Sequence, residues 1–138
     1  MARDERWMKV AAWLQRPWFW WFGVVTWGAV LFMLSANSHP PTGPEIPHQD
    51  KVLHAVYFAG GSFCLLMALY AGASNRRWLP VTLTGLVFGA LAGGLDEWHQ
   101  TFTLGRSGND PGDWLADVTG GLLGAWLALK VMRRLRVV

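Results

Sequence analysis

Two stretches of this chain carry residue types that could do chemistry. The first is Asp96-Glu97-Trp98-His99-Gln100, followed by Gly105-Arg106-Ser107 and then Asp110, Asp113 and Asp117; the second is Asp50-Lys51 with His54 and Tyr57. A carboxylate beside an imidazole can run general acid and base chemistry, because partial burial moves both groups toward neutral pH. Glu97 or His54 is the candidate base on this reading, with Asp50 and His99 as further catalytic candidates. Arg106 would then stabilise developing negative charge. Alternatively, Arg106 and Lys51 could grip a phosphate or carboxylate, Arg in bidentate fashion, with Gln100, Tyr57, Asp96, Asp113 and Asp117 lining the site. Asp50, His54, Glu97, His99 and Asp117 could also hold a metal, but none of their spacings is a recognised ligand signature, so no metal is assigned and the cofactor is undetermined. A nucleophile is poorly supported, since Ser62 and Cys64 lie inside an apolar run and Ser107 has no elbow motif around it.

The elements that must position these groups are membrane helices. Of 138 residues, 52% are hydrophobic and only 15% charged. The mean hydropathy of +0.22 understates this, because the scale scores the ten Trp residues as slightly polar. In a membrane protein Trp serves as apolar bulk and as an interfacial anchor. Spans are expected at about 18–36, 50–72, 79–101 and 111–132, each near the roughly 20 residues that cross a hydrocarbon core. Residues 1–17, with Trp7, Val10, Trp13 and Leu14 at helical spacing among charges, read as an amphipathic helix on the membrane surface. The first apolar run is too long, and its Ser35-Ala36-Asn37 end too poor a cleavage site, for a signal peptide. The expectation is an all-α, polytopic membrane protein forming one domain over residues 1–138.

Helical spacing adds detail. Asp50, His54 and Tyr57 share a face at i, i+4 and i+7, and Asp96, His99 and Gln100 share another. Gly85, Gly89 and Gly93 recur every four residues and lead to Glu97, while Ala116, Gly120, Gly124 and Ala128 form a similar stripe in the fourth span. Small faces of this kind let membrane helices approach closely, so the third and fourth spans should pack together. Asp110-Pro111-Gly112-Asp113 fits a helix start, with Asp110 as N-cap and Pro111 at the first helical position. Between the first two spans, Pro40, Pro41, Pro44 and Pro47 with Gly43 require an extended loop that also carries His39 and His48.

Lys and Arg set the orientation. Arg3, Arg6, Lys9, Arg16, Arg76, Arg77, Lys130, Arg133, Arg134 and Arg136 fall on one side of four alternating spans, and only Lys51 and Arg106 on the other. The positive-inside rule makes both termini cytoplasmic and puts the polar residues at the outer face. There His54, Glu97, Arg106 and Asp117 should converge around a pocket open to the outer side. The net charge of +3 is spread between apolar segments without a basic stripe, which argues against nucleic acid. Cys64 stands alone, so an intrachain disulfide is excluded.

At these residues the chain resembles the VanZ-like family of small bacterial membrane proteins. The resemblance rests on Asp50-Lys51-x-x-His54-x-x-Tyr57-Phe58, Asp96-Glu97-x-His99-Gln100, Gly105-Arg106-Ser107, and Asp113 with Gly120 and Gly124, covering about residues 35–125. It departs from the family pattern at Asp117, where the family usually has Asn. The family's founding member is associated with resistance to the glycopeptide teicoplanin, so the resemblance implies a bacterial cytoplasmic-membrane protein working on the cell envelope. The function expected is the binding or handling of an anionic lipid headgroup or cell-wall precursor. The alternative is a membrane-embedded hydrolase or transferase acting on envelope lipids or glycans. Membrane lipids, a lipid-linked precursor and further copies of the chain are the expected partners. A purely structural role, using the glycine faces against another membrane protein, would need none of the ionisable groups.

Overall fold

The computed structural model describes residues 2–38, 47–73 and 77–135. Its helices are α1 (Ala2–Leu14), α2 (Pro17–Ser35), α3 (Gln49–Tyr70), α4 (Trp78–Gln100) and α5 (Pro111–Leu135). The last four are long and apolar enough to cross a membrane, and they describe an all-α, multi-pass membrane protein. Most of the expected loop with His39, Pro40, Pro41, Gly43 and Pro44 lies outside the described residues, as do Asn75, Arg76 and Arg136.

Local chemistry explains where the helices begin and end. Pro17 opens α2 and forces the preceding Arg16 into an extended conformation, which separates α2 from α1. Trp20 donates its indole N–H to the Leu14 carbonyl at 2.8 Å, satisfying one of the acceptors that the end of α1 exposes. The fourth span was expected to stop near Met132, but α5 continues to Leu135. Arg133 and Arg134 do not end the helix, because cations in a last turn favour the helix dipole.

Alternating directions give the bundle two ends. One holds the C-termini of α2 and α4 and the N-termini of α3 and α5, with Asp50, Asp96, Glu97, Asp110, Asp113 and Asp117; we call it the polar end. The opposite half holds an apolar core of Leu66, Met67, Ala71, Val81, Ala125, Ala128, Met132 and Leu135. Helix α1 closes that half: Ala11 is 3% exposed within the core and Leu14 packs against it, while Trp7, Val10 and Trp13 stay uncovered. Of the four apolar residues expected on one face of this segment, Leu14 packs against the core, and Trp13, although exposed, rests its ring against Trp18 and Phe19 of α2.

Helix α5 is the centre, packed against both α3 and α4. The two expected glycine stripes do not simply face each other. A Cβ on Gly120 or Gly124 would strike the backbone of α3 at Ala55 or Ala59, whereas Gly85 and Gly89 of α4 meet Gly121, Asp117 and Val118. Successive residues of a helix point about 100° apart, so the Gly120 line and the Gly121 line serve different neighbours. Across the seam with α3, Ser62 donates its hydroxyl to the Gly121 carbonyl at 2.8 Å. The outer surfaces of the spans, with Phe22, Val25, Met33, Val56, Leu91 and Leu95, are left exposed by the protein as a lipid-facing wall would be.

Candidate functional site

The polar end is built from three links between helices. Lys51, in the first turn of α3, lies 2.8 Å from Asp113 Oδ1, 2.9 Å from Asp110 Oδ2 and 3.0 Å from Asp50 Oδ2, pinning α3 to the start of α5. One turn deeper, His54 Nδ1 lies 2.9 Å from Asp117 Oδ1 and its Nε2 faces Asp113 Oδ2 at 4.0 Å. On the other flank Asp96 accepts from the Ser35 hydroxyl of α2 through Oδ1 and from Gln100 Nε2 at 2.8 Å through Oδ2. Gln100 Oε1 in turn accepts from Arg106 Nη2 at 2.7 Å and from Nε at 3.2 Å.

Glycines make room for this arrangement. A Cβ on Gly93 would lie 2.7 Å from the Cβ and Oδ2 of Asp117, so only glycine at that position lets α4 close over the carboxylate. The loop after α4 turns back through Gly105, whose φ of +80° is the left-handed conformation that glycine adopts freely. Thr103 donates to the Ser35 carbonyl at 3.0 Å, which fastens the loop to the end of α2 and aims Arg106 inward.

Asp110 caps α5 as expected. Its Oδ1 accepts from Gly112 N at 2.7 Å, and Pro111 follows at the first helical position. The ammonium of Lys51 at its other oxygen, together with that Gly112 amide, holds the Asp110 carboxyl below the usual carboxylate range. Its own backbone N–H donates to Glu97 Oε2 at 2.7 Å, so the cap also anchors the end of α4.

The charge balance is lopsided. Asp50, Asp96, Glu97, Asp110, Asp113 and Asp117 stand against Lys51 and Arg106, with His54 adding positive charge only when protonated. Glu97 is 3% exposed and Asp117 0%, and one oxygen of each, Glu97 Oε1 and Asp117 Oδ2, is buried with no hydrogen-bond partner among the described residues. A buried polar atom left unpaired costs about 1–3 kcal/mol, more when charged. Oxygens of Glu97 and Asp113 and a nitrogen of His54 all fall within 4.8 Å of one another, and the same holds for His54, Asp96 and Asp117.

The candidates read from the sequence thus divide. His54, Asp96, Glu97, Asp113 and Asp117 come together, and Arg106 reaches them through Gln100 and Asp96. Asp50 is mostly exposed and meets the group only through Lys51. His99 turns away: its ring stacks on Phe32 of α2 at 4.8 Å and 18°. Tyr57 also leaves the cluster, stacking on Trp27 and donating its hydroxyl to the Trp27 carbonyl at 2.8 Å. Trp27 replies by donating its indole N–H to the Tyr57 carbonyl at 2.9 Å. The shared face of Asp50, His54 and Tyr57 is real in angle but splits between neighbours, since α2 and α5 flank α3 on different sides. Ser35 and Thr103 were missed. Ser35 gave one signal, a hydroxyl at the tip of an apolar run, and its partner sixty-one positions away could not be read from it.

No protein-family model matches this chain, and no curated protein and no solved structure matches it either.

Proposed function

We propose that this chain is a VanZ-like protein of the bacterial cytoplasmic membrane whose polar end faces outward and binds the anionic headgroup of a lipid or lipid-linked cell-wall precursor. The observation that carries the reading is the state of Arg106. Its guanidinium is half-buried beside a cluster rich in carboxylates, yet its hydrogen bonds among the described residues go to the neutral Gln100. A guanidinium oriented by an amide keeps its charge and remaining N–H donors for an incoming phosphate or carboxylate. Lys51, by contrast, is taken up by three aspartates and serves as a clamp. The distribution of Lys and Arg supports the outward orientation. The resemblance to the VanZ-like family supports the cell envelope, and resistance of the teicoplanin type, as the setting.

The test is native mass spectrometry of the protein released from membranes, wild type against Arg106→Ala. Co-purifying anionic lipid should be present on the wild type and lost from the variant. Retention of the same lipids by both would overturn the reading.

One observation favours a second reading, a hydrolase or transferase acting on the same headgroups. The buried Asp117 paired with the half-buried His54, beside the buried Glu97, is an arrangement suited to moving a proton at a bound substrate. Turnover of an envelope lipid that is lost in Glu97→Gln while the fold persists would select it over binding alone.

A further inference from the structure

We propose that His54, Glu97 and Asp113 bind one divalent transition-metal ion of the manganese or zinc class. The argument begins with the imidazole. Nδ1 of His54 is committed to Asp117 Oδ1 at 2.9 Å, and a ring that donates from Nδ1 to a carboxylate leaves its lone pair on Nε2. This is the outer-shell support that metal-bound histidines commonly have, with the carboxylate fixing the tautomer and the ring orientation.

Nε2 faces Asp113 Oδ2 across 4.0 Å. That is too long for a hydrogen bond but within twice a metal–ligand distance of about 2.0–2.2 Å. Asp113 uses its other oxygen for Lys51, so Oδ2 is available to a cation. Glu97 supplies the independent observation: it is 3% exposed, its Oε2 is held by the Asp110 amide, and its Oε1 has no partner among the described residues. Ligand atoms of these three residues lie within 4.8 Å of one another, so small side-chain adjustments bring all three onto one ion. A nitrogen of His54 and oxygens of Asp96 and Asp117 form a second group just as close, which adds negative charge around the imidazole.

The donor set selects the class of ion. One imidazole with carboxylates suits Mn2+ or Zn2+, whereas Mg2+ and Ca2+ prefer oxygen alone. The inference does not depend on the headgroup reading. It gives His54 the role of a ligand in place of proton carrier, and it supplies the positive charge that the acid-rich cluster lacks.

The experiment uses the full chain without an affinity tag, in detergent micelles, stripped with chelator and dialysed against Mn2+ or Zn2+. One ion per chain is expected, with affinity reduced at least about tenfold in His54→Gln and in Glu97→Gln, and to a similar degree in Asp117→Asn through loss of the outer-shell charge. Asp113→Asn, at the bundle's edge, is the substitute where a buried variant fails to fold. Pulsed electron paramagnetic resonance of Mn2+ on the wild type should show coupling to an imidazole nitrogen, a readout that needs no variant. Failure of the folded wild type to bind either ion stoichiometrically would overturn the site. Binding without nitrogen coupling, or binding unchanged in folded His54→Gln, would equally overturn it.

Discussion

His54 Nδ1 lies 2.9 Å from the fully buried Asp117 Oδ1, so an imidazole and a carboxylate join α3 to α5 one turn below the bundle's polar end. The Asp117 carboxylate is shut off from solvent, while the His54 ring is half-buried. Replacing Asp117 with Leu would take away the Nδ1 partner of the half-buried His54 ring, at a cost of about 1–3 kcal/mol. Asp117→Asn keeps an acceptor oxygen in the same place and should cost less. Unfolding of both variants in one detergent checks the order; equal loss would mean that the pair contributes shape alone.

The seam between α4 and α5 is set by backbone contact at glycine. A Cβ on Gly85 would meet the Gly121 carbonyl at 2.6 Å and the Ala125 side chain at 2.8 Å, whereas one on Gly28 meets nothing within 4 Å. Gly85→Val should force the helices apart and destabilise by about 1–3 kcal/mol or more. Gly28→Ala should be neutral or stabilising by about 0.5–1 kcal/mol. Thermal denaturation of the two variants side by side tests the contrast.

Trp27 and Tyr57 exchange side-chain to backbone hydrogen bonds at 2.9 and 2.8 Å while their rings stack. Interhelical hydrogen bonds inside membranes average about 0.6 kcal/mol and reach about 1.7. Because each acceptor is a backbone carbonyl, Trp27→Phe and Tyr57→Phe each remove one bond and should each cost about 0.6–1.7 kcal/mol, measured singly and together. Additive effects would show the two bonds to be independent. Because neither group belongs to the acidic cluster, metal and lipid binding should survive both changes.

Ser107 is exposed in the loop that carries Arg106. With Cys64 replaced by Ala, Ser107→Cys should react with a membrane-impermeant maleimide added outside intact cells. Labelling only after the cytoplasm is opened would reverse the orientation on which the headgroup reading depends.

How much of this was legible in the residues can be traced one position at a time. Four charge-poor runs of membrane-spanning length gave the spans, because a helix pairs its backbone groups within a single segment and so can lie in lipid. Alternation of those spans then required Asp50, His54, Glu97, Arg106 and Asp117 to lie at one end of the bundle, whatever the packing. The start of α5 was equally legible, since Asp110 and Pro111 act within a single turn. Partner choice was not. Helical periodicity gives the angle at which a side chain leaves its helix, but the neighbour waiting at that angle depends on how the helices are arranged. Hence His99 went to Phe32 and Tyr57 to Trp27, where the sequence offered both to the site that Arg106 joins through Gln100. Gly120 and Gly121, adjacent in sequence, were likewise divided between α3 and α4. The tertiary structure alone decided that Glu97 and Asp117 would each bury an oxygen without a partner, because that outcome depends on three helices meeting around His54.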